Sequence, residues 1–281
     1  MNANSSFQPD RPAFLVDAPD LWRWLSSLFA FLVIVAAWSI VAETLSRDLL
    51  PGPIMIVRRI CEGWQTDPMI TVVSGQPAGL GFHTWQTALR FLRYLSGGLV
   101  LGCLLLFLAC LHKRSARIMR LLTRLANPIP PLLLLPIIYA AGCPTAALEW
   151  TGGIFYPALA VISLGLGTLD DTVSSLEFLM KQAGAGPLWI TAHVRWPAVE
   201  TALLPALKSH GAFTLGLTIV VEWMLAPNGL GRVMKYALSF NSGTLLLSAV
   251  MLVVLVATAY EMLIQVFITV RLRWKANAHA F

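Results

Sequence analysis

The sequence predicts an all-α polytopic membrane protein, with six transmembrane helices in a single domain. Its 281 residues are 57% hydrophobic and only 12% charged, with a mean hydropathy of +0.71. Soluble domains carry about twice that charged fraction, so much of this surface is expected to face lipid. Six apolar runs are each long enough to cross the ~30 Å hydrocarbon core of a bilayer. Lysine and arginine gather on one side of these runs, which is typical of cytoplasmic loops.

The first three predicted spans cover residues 28–45, 84–111 and 125–142. The first, LFAFLVIVAAWSIVAETL, is apolar almost to its end. The second contains YLSGGLVLGCLLLFLACL, where Gly98 and Gly102 have the GxxxG spacing that lets two helices pack closely. The third, LANPIPPLLLLPIIYAAG, is rich in proline, and we expect its prolines to kink the helix. The carbonyls freed by such a kink are tolerated where a helix lines a cavity.

The last three predicted spans cover residues 152–169, 201–221 and 244–270. They read GGIFYPALAVISLGLGTL, TALLPALKSHGAFTLGLTIVV and TLLLSAVMLVVLVATAYEMLIQVFITV. Between the fourth and fifth lies the segment 171–200, which is too polar and too rich in glycine and proline to lie in lipid. We therefore divide the chain into an N-terminal segment 1–27, one transmembrane domain 28–275 and a C-terminal tail 276–281.

The charge distribution predicts the orientation in the membrane. Six spans place both chain ends on one side, together with the basic loop after the second span and the loop 171–200. These regions hold most of the lysine and arginine, so both termini are predicted to be cytoplasmic. The formal charge of +6 then needs no nucleic-acid partner, since no basic patch is interleaved with aromatic residues.

The loop 171–200 predicts two short helices. In SSLEFLMKQA, apolar residues recur at helical spacing on one face: Leu176, Leu179, Met180 and Ala183. Glu177 and Lys181 form an i, i+4 pair on the polar side. Gly184, Ala185 and Gly186 end this helix, and the next begins at a proline.

The second short helix places Trp189, His193 and Trp196 on one stripe, and Pro197 is expected to redirect the chain into the fifth span. Such an element could dock in a groove on a soluble partner and transmit its motion to the spans. Alternatively, it could rest on the lipid headgroups with its tryptophans as anchors. His193 has no second ligand at metal-binding spacing and is interpreted as a surface residue.

Several stretches, taken in order along the chain, match a known pattern. They are LLPGP at 49–53, LANPIPPLLLLPI at 125–137, FYP at 155–157, GAGPLWITAHVRWPA at 184–198 and VVEWMLAPNGLGRVM at 220–234. Together they resemble the nitrate/sulfonate/taurine branch of the permease subunits of ABC importers. In the cytoplasmic loop of that family a glycine precedes a proline as Gly184 precedes Pro197. The family's Glu-Ala-Ala is replaced by Phe178, Leu179 and Met180, with Glu177 one place early.

The resemblance implies a type I ABC importer permease fold in the bacterial inner membrane. It implies cytoplasmic ATP-binding cassette subunits, a second permease copy or a related permease, and a periplasmic or lipid-tethered solute-binding protein. The solute would be small, such as nitrate, a sulfonate or taurine. ATPase coupling is expected at Glu177, Leu179, Met180, Ala183, Gly184, Ala185, Gly186, Trp189 and Pro197. The translocation path is expected to include Asn127, Pro130, Pro131 and Glu222.

Alternatives remain for the acidic residues and for the function. Glu222 could instead lie at the outer headgroup level and order the loop 223–235, and a structural role suits Glu261. No GxxxxGK[ST] motif or catalytic constellation occurs, so we expect no enzymatic activity and no cofactor in this chain. The rival function is an ion-coupled secondary transporter using Glu222 and Glu261, although the sequence has no clear inverted repeat.

Overall fold

The computed structural model describes residues 18–45, 50–75, 77–142, 145–172 and 174–271. The predicted C-terminal tail and the first 17 residues of the predicted N-terminal segment lie outside these ranges. Regular structure within them is helical, with no strand. The α-helices are α1 (Ala18–Thr44), α2 (Pro53–Glu62), α3 (Pro68–Ser74), α4 (Leu80–Leu111), α5 (Lys113–Ala126), α6 (Pro131–Ala140), α7 (Thr145–Thr172), α8 (Ser174–Gln182), α9 (Pro187–Ile190), α10 (Trp196–Met224), α11 (Leu230–Ser239) and α12 (Gly243–Arg271).

Four helical stretches in the described residues are long and apolar enough to cross a membrane. They are Leu25–Thr44, Leu80–Leu111, Pro187–Met224 and Gly243–Arg271. These stretches coincide with the first, second, fifth and sixth predicted spans. The prediction of an all-α protein with apolar helices of membrane-spanning length is therefore confirmed, and the count of six spans stays a prediction.

The third predicted span, 125–142, is not one helix. Helix α5 ends at Ala126, the chain turns at 127–130, and α6 has only ten residues. Ten residues rise about 15 Å, half of the hydrocarbon core. Pro130 and Pro131 lack the N–H groups that α5 would need to continue, whereas a proline in the first turn of α6 loses nothing. The expected kink is thus a complete break. The fourth predicted span lies within α7, whose apolar part, Gly153–Leu169, is also short.

Helices α4, α7 and α10 pack against one another and form the centre of the bundle, with α12 on α4 and α10. The contact of α4 with α7 depends on small residues. A Cβ atom at Gly98 would lie 2.5 Å from Cβ of Pro157, and one at Gly102 would lie 2.7 Å from Cβ of Val161. The predicted close packing through the GxxxG spacing is therefore confirmed, and it joins two helices of the same chain.

Two apolar clusters mark the ends of the bundle. One contains Leu80 at the start of α4 together with Leu230 and Leu245. The other contains Cys110 at the end of α4 together with Val161 and Val199. Because Leu80 and Cys110 lie near the two ends of the 32-residue α4, these clusters are about 45 Å apart along the helix. Helix α1 packs on α2, and only 6% of its apolar stretch is buried, so nearly all of α1 is left to lipid or to another chain.

Candidate functional site

The predicted coupling segment, residues 174–196, begins with α8, which ends in a glycine C-cap. Gly184 has φ +83°, a left-handed conformation in which glycine avoids the steric cost of a side chain. Its N–H donates to the Lys181 carbonyl, and the Ala185 N–H donates to the Met180 carbonyl, both at 3.0 Å. This pair of bonds is a Schellman motif. The glycine is therefore required by the backbone where α8 turns towards α9.

The coupling segment carries exposed apolar side chains. Phe178, Leu179 and Leu188 are 61%, 57% and 64% exposed, and Leu176 and Trp189 are exposed as well. Of the predicted apolar face, Met180 is half-buried and packs with Ala185 against Ile190 and Val194. A hollow of about 440 Å³ lies between α8 and α9, lined by Met180, Ala183, Gly184, Ala185, Gly186 and Trp189. The segment thus presents exposed apolar side chains and, next to them, a recess in its surface.

An ion pair joins α8 to Arg195, the residue directly before α10. Arg195 Nη2 lies 2.5 Å from Glu177 Oε1, and Arg195 Nε lies 3.3 Å from Glu177 Oε2. Lys181 Nζ lies 2.5 Å from the same Oε1 atom. Burial raises the pKa of the Glu177 carboxyl, but the hydrogen bonds and charges of Arg195 and Lys181 outweigh burial and hold this pKa below its ordinary value.

Arg195 also connects this region to α4. Its Nη1 donates to the Cys110 carbonyl, and Thr191 Oγ1 donates to the same oxygen at 3.4 Å. Sequence reasoning predicted the Glu177–Lys181 pair and missed the Glu177–Arg195 pair. The two residues are 18 positions apart and separated by a turn, so no helical spacing could have indicated their contact.

The expectation that Pro197 redirects the chain is wrong. The helix is continuous from Pro187 to Met224 and passes through a π-helical turn at Thr191–Arg195. The Trp196 N–H donates to the Thr191 carbonyl five residues back. A proline ring in a regular α-helix clashes with the carbonyl four residues earlier, which would be that of His193, and a wider turn relieves this clash.

The π-turn also divides the predicted aromatic stripe. The rings of Trp189 and His193 stack with centroids 4.5 Å apart, on the exposed surface of the segment. Trp196 instead packs edge-on against Phe107 of α4, with centroids 6.3 Å apart. The extra residue in the turn rotates the register, so the i, i+4, i+7 alignment holds only for the first two members.

Asn127 lines a cavity of about 400 Å³ between the turn before α6 and helices α7 and α10. Its Nδ2 donates to Ser163 Oγ at 2.7 Å. Tyr156 and His210 add two further polar side chains to this cavity. Pro130 is exposed, and Pro131 begins α6 with a side chain outside the described part of the structure. Asn127 is thus a predicted path residue that the structure places against a cavity.

Glu222 lies at the opposite end of the bundle, fully buried in a polar network. Its carboxylate accepts hydrogen bonds from Thr87 Oγ1 at 2.8 Å, from Arg90 Nη1 at 2.5 Å and from the Gly231 N–H at 3.0 Å. Asn228 binds the other end of Arg90, at 3.0 Å between Oδ1 and Nη2. Glu222 thus holds the loop between α10 and α11 against α4.

Two α4 residues complete the network around Glu222 and were not singled out by the sequence. Thr87 Oγ1 accepts the Leu230 N–H at 2.8 Å, and His83 Nδ1 accepts the Gly229 N–H at 3.0 Å. Gly229 has φ +114°, and the Glu222 carboxylate fills the space that a side chain there would need. This geometry agrees with the interpretation in which Glu222 orders the loop.

No protein-family model matches the sequence, and a comparison with curated proteins finds no significant match.

Proposed function

We propose that this chain is the transmembrane permease subunit of an ABC importer in a bacterial inner membrane. It forms part of the pathway for a small solute, and cytoplasmic ATPase subunits dock on residues 174–196. The observation that carries this proposal is the coupling segment itself, in which exposed apolar residues on α8 are tied by an ion pair to the base of a membrane-spanning helix.

The geometry of this segment suits the transmission of force. The helix Pro187–Met224 has 38 residues and a length of about 57 Å, nearly twice the hydrocarbon core. The end that carries Trp189 can therefore project beyond the lipid. Because Glu177 holds Arg195, a displacement of α8 moves this helix rather than only the connecting loop. An ATPase partner that contacts α8 differently in its two nucleotide states would then shift the equilibrium between two arrangements of the spans.

The cavity beside Asn127 is the proposed element of the pathway. It offers an amide, a hydroxyl, an imidazole and a phenol to a solute, within reach of both α7 and α10. Small polar solutes, including nitrate, sulfonates and taurine, are the class that the sequence resemblance implies. A second permease copy or a related permease would complete the pathway, and a periplasmic or lipid-tethered binding protein would deliver the solute. In this proposal α7 is a further span, and α6 enters the hydrocarbon core without the length to cross it alone.

The rival function, an ion-coupled secondary transporter, would need acidic residues that exchange protons or ions. Glu222 is paired with Arg90 at 2.5 Å and is fully buried. Glu261 lies 3.1 Å from Lys208 Nζ. Both carboxylates that the sequence offered for this role are thus engaged by cations, which favours the ATP-driven alternative.

The test is to purify the tagged full chain from its native membranes and assay the eluate for ATP hydrolysis. Leu179→Arg places a charge on the exposed face of α8 and is expected to remove the ATPase activity from the eluate. Leu238→Arg is the matched control, because Leu238 is 49% exposed at the opposite end of the bundle. It is expected to retain the activity.

Two results would contradict the proposal. If Leu179→Arg abolishes uptake while the ATPase still co-purifies, the docking surface is not on α8. If the wild-type eluate has no ATPase activity and uptake persists after cellular ATP is depleted with the ion gradient intact, the chain is a secondary transporter.

A further inference from the structure

Two neighbouring helices of membrane-spanning length, α10 and α12, share a row of polar side chains on the surface of the bundle. On α12, Thr258, Glu261 and Gln265 recur at helical spacing on one face and are exposed. On α10, Ser209 is exposed and the side chain of Lys208 is 36% exposed. Lys208 Nζ lies 3.1 Å from Glu261 Oε1 and so joins the two sets. We call these five residues the polar seam.

The charges of the polar seam lie far from the ends of both helices. Their depth can be measured from the ion pair between Arg271 Nε and Glu200 Oε1, which are 2.6 Å apart where α12 enters the basic sequence RLRWK. A basic end of this kind is typical of the headgroup level. Glu261 precedes Arg271 by ten residues, about 15 Å along α12. Lys208 follows Glu200 by eight residues, about 12 Å along α10. Both charges are therefore expected near the middle of a hydrocarbon core about 30 Å thick.

Lipid is a poor cover for such a surface. Ionisable side chains at this depth are costly and almost always face the interior of a bundle or a water-filled cavity. Glu261 has a cation on one side, but its side chain is 65% exposed, and it is too short to reach headgroups about 15 Å away. The seam is not the wall of the cavity beside Asn127 either, because Lys208 and the cavity residue His210 project about 200° apart around α10. These observations favour a protein surface as the cover.

The charges and the shape of this surface indicate which protein covers it. In a contact with two-fold symmetry, the same patch on two copies meets itself. Because Lys208 is on α10 and Glu261 is on α12, such a contact can place each cation opposite the anion of the other copy. Beside the seam, α10 presents a row of exposed small residues, Ser209, Ala212 and Gly216, and a Cβ atom at Gly216 would meet nothing within 4 Å. Small residues let membrane helices approach one another closely.

We infer that the polar seam and the small residues beside it form a two-fold contact with a second copy of this chain. Lys208 of each copy pairs with Glu261 of the partner subunit, so that both charges are covered by protein. This contact supplies the second permease of the proposed function, on which the inference rests, and makes the permease pair a homodimer. Since the contact joins two copies, it contributes nothing to the unfolding of single chains that are separated in dilute mixed micelles.

The test co-expresses two differently tagged full-length copies in the native host and measures how much of one is recovered with the other in a mild, uncharged detergent. Wild-type copies are expected to co-purify. With Lys208→Glu in both copies, or Glu261→Lys in both, recovery is expected to fall at least about tenfold, because like charges then face each other across the contact. With Lys208→Glu in one copy and Glu261→Lys in the other, opposite charges meet again and recovery is expected to return towards wild type. The ion pair within each chain stays broken in this mixture, so a purely internal role predicts no return.

Arg58→Glu is the matched control for charge reversal, because Arg58 forms an exposed ion pair with Glu62 on α2, outside the seam. It is expected to leave recovery unchanged. A second variant tests the contact without altering charge. Gly216→Leu enters open space in the single chain and is expected to reduce recovery, whereas Gly167→Leu, which enters open space on α7, is not.

Three results would overturn the inference. If the mixed pair of charge variants is recovered no better than either variant alone, the ion pair acts within one chain. Equal losses for Gly167→Leu and Gly216→Leu would show that bulk anywhere on the bundle has the same effect. If wild-type copies do not co-purify while ATPase activity is recovered, a different permease or a water-filled space covers the seam, and the proposed function stands. Loss of both the second copy and the ATPase activity would contradict the proposed function as well.

Discussion

Replacing Glu222 by glutamine is expected to destabilise the end of the bundle that contains Glu222 by about 3 kcal/mol. Removing one partner of a buried ion pair typically costs about 3–5 kcal/mol, because the other charge is left buried without compensation. The Arg90 side chain is only 10% exposed and that of Glu222 is 0% exposed, so water cannot replace the lost partner. The lower end of the range applies because glutamine keeps one oxygen for Thr87 or for the Gly231 N–H.

The assay is reversible unfolding in mixed detergent micelles, followed by far-ultraviolet circular dichroism. Glu261→Gln is the matched control, since Glu261 is 65% exposed beside Lys208 and exposed pairs contribute at most about 1 kcal/mol. The double variant Arg90→Met, Glu222→Gln is expected to lose less than the sum of its single variants, because no uncompensated charge remains. A loss below about 1 kcal/mol in Glu222→Gln, or additive losses in the double variant, would refute this account of the network.

Three further predictions concern the backbone, the helix packing and pH. Gly184→Ala is expected to lower the free energy of unfolding by about 1–2 kcal/mol, because residue 184 has a positive φ. Gly186→Ala, at φ −73°, is expected to leave this free energy nearly unchanged. Equal losses for the two variants on unfolding in micelles would contradict the C-cap argument. Gly98→Ala is expected to cost about 1–3 kcal/mol through overlap with Pro157, and the same assay should show no loss for Gly167→Ala, which has open space. The Glu177 pKa is lower in the folded than in the unfolded protein, so the ion pair stabilises the coupling segment above the ordinary value of 4.5, and this contribution is lost as pH falls through the folded pKa. Limited proteolysis near Gly184 should therefore accelerate below about pH 4.5 in the wild type and show no such dependence in Glu177→Gln.

The parts of the fold that could be predicted from the sequence are those set by local pattern. Apolar runs of sufficient length gave the helices around residues 28–45, 84–111, 201–221 and 244–270. The GxxxG spacing predicted a close helix contact, and the Gly-Ala-Gly sequence predicted the end of α8. Each of these signals lies within one contiguous stretch of the sequence, where backbone sterics and hydrophobicity decide the outcome.

The parts that could not be predicted depend on contacts between distant residues. Arg90 meets Glu222 across 132 positions, and Arg195 meets the Cys110 carbonyl across 85. Proline positions alone also failed to separate a kink from a break. Pro128 and Pro130 lie in the break between α5 and α6 and Pro131 begins α6, whereas the single Pro197 is absorbed by a π-turn. A break and a π-turn differ in the backbone hydrogen bonds that form around the proline, and the sequence does not specify these bonds.

The π-turn at Thr191–Arg195 links the two halves of the proposed mechanism. A wide turn is costlier than a regular one and is tolerated where a function or a proline requires it. Here it lets Pro197 remain within the helix, and it carries Arg195, whose guanidinium contacts both Glu177 and the end of α4. Were Pro197 to redirect the chain instead, α8 would be joined to the span by a flexible loop and could not move it. The continuity of this helix is therefore the structural condition for any coupling between α8 and the cavity beside Asn127.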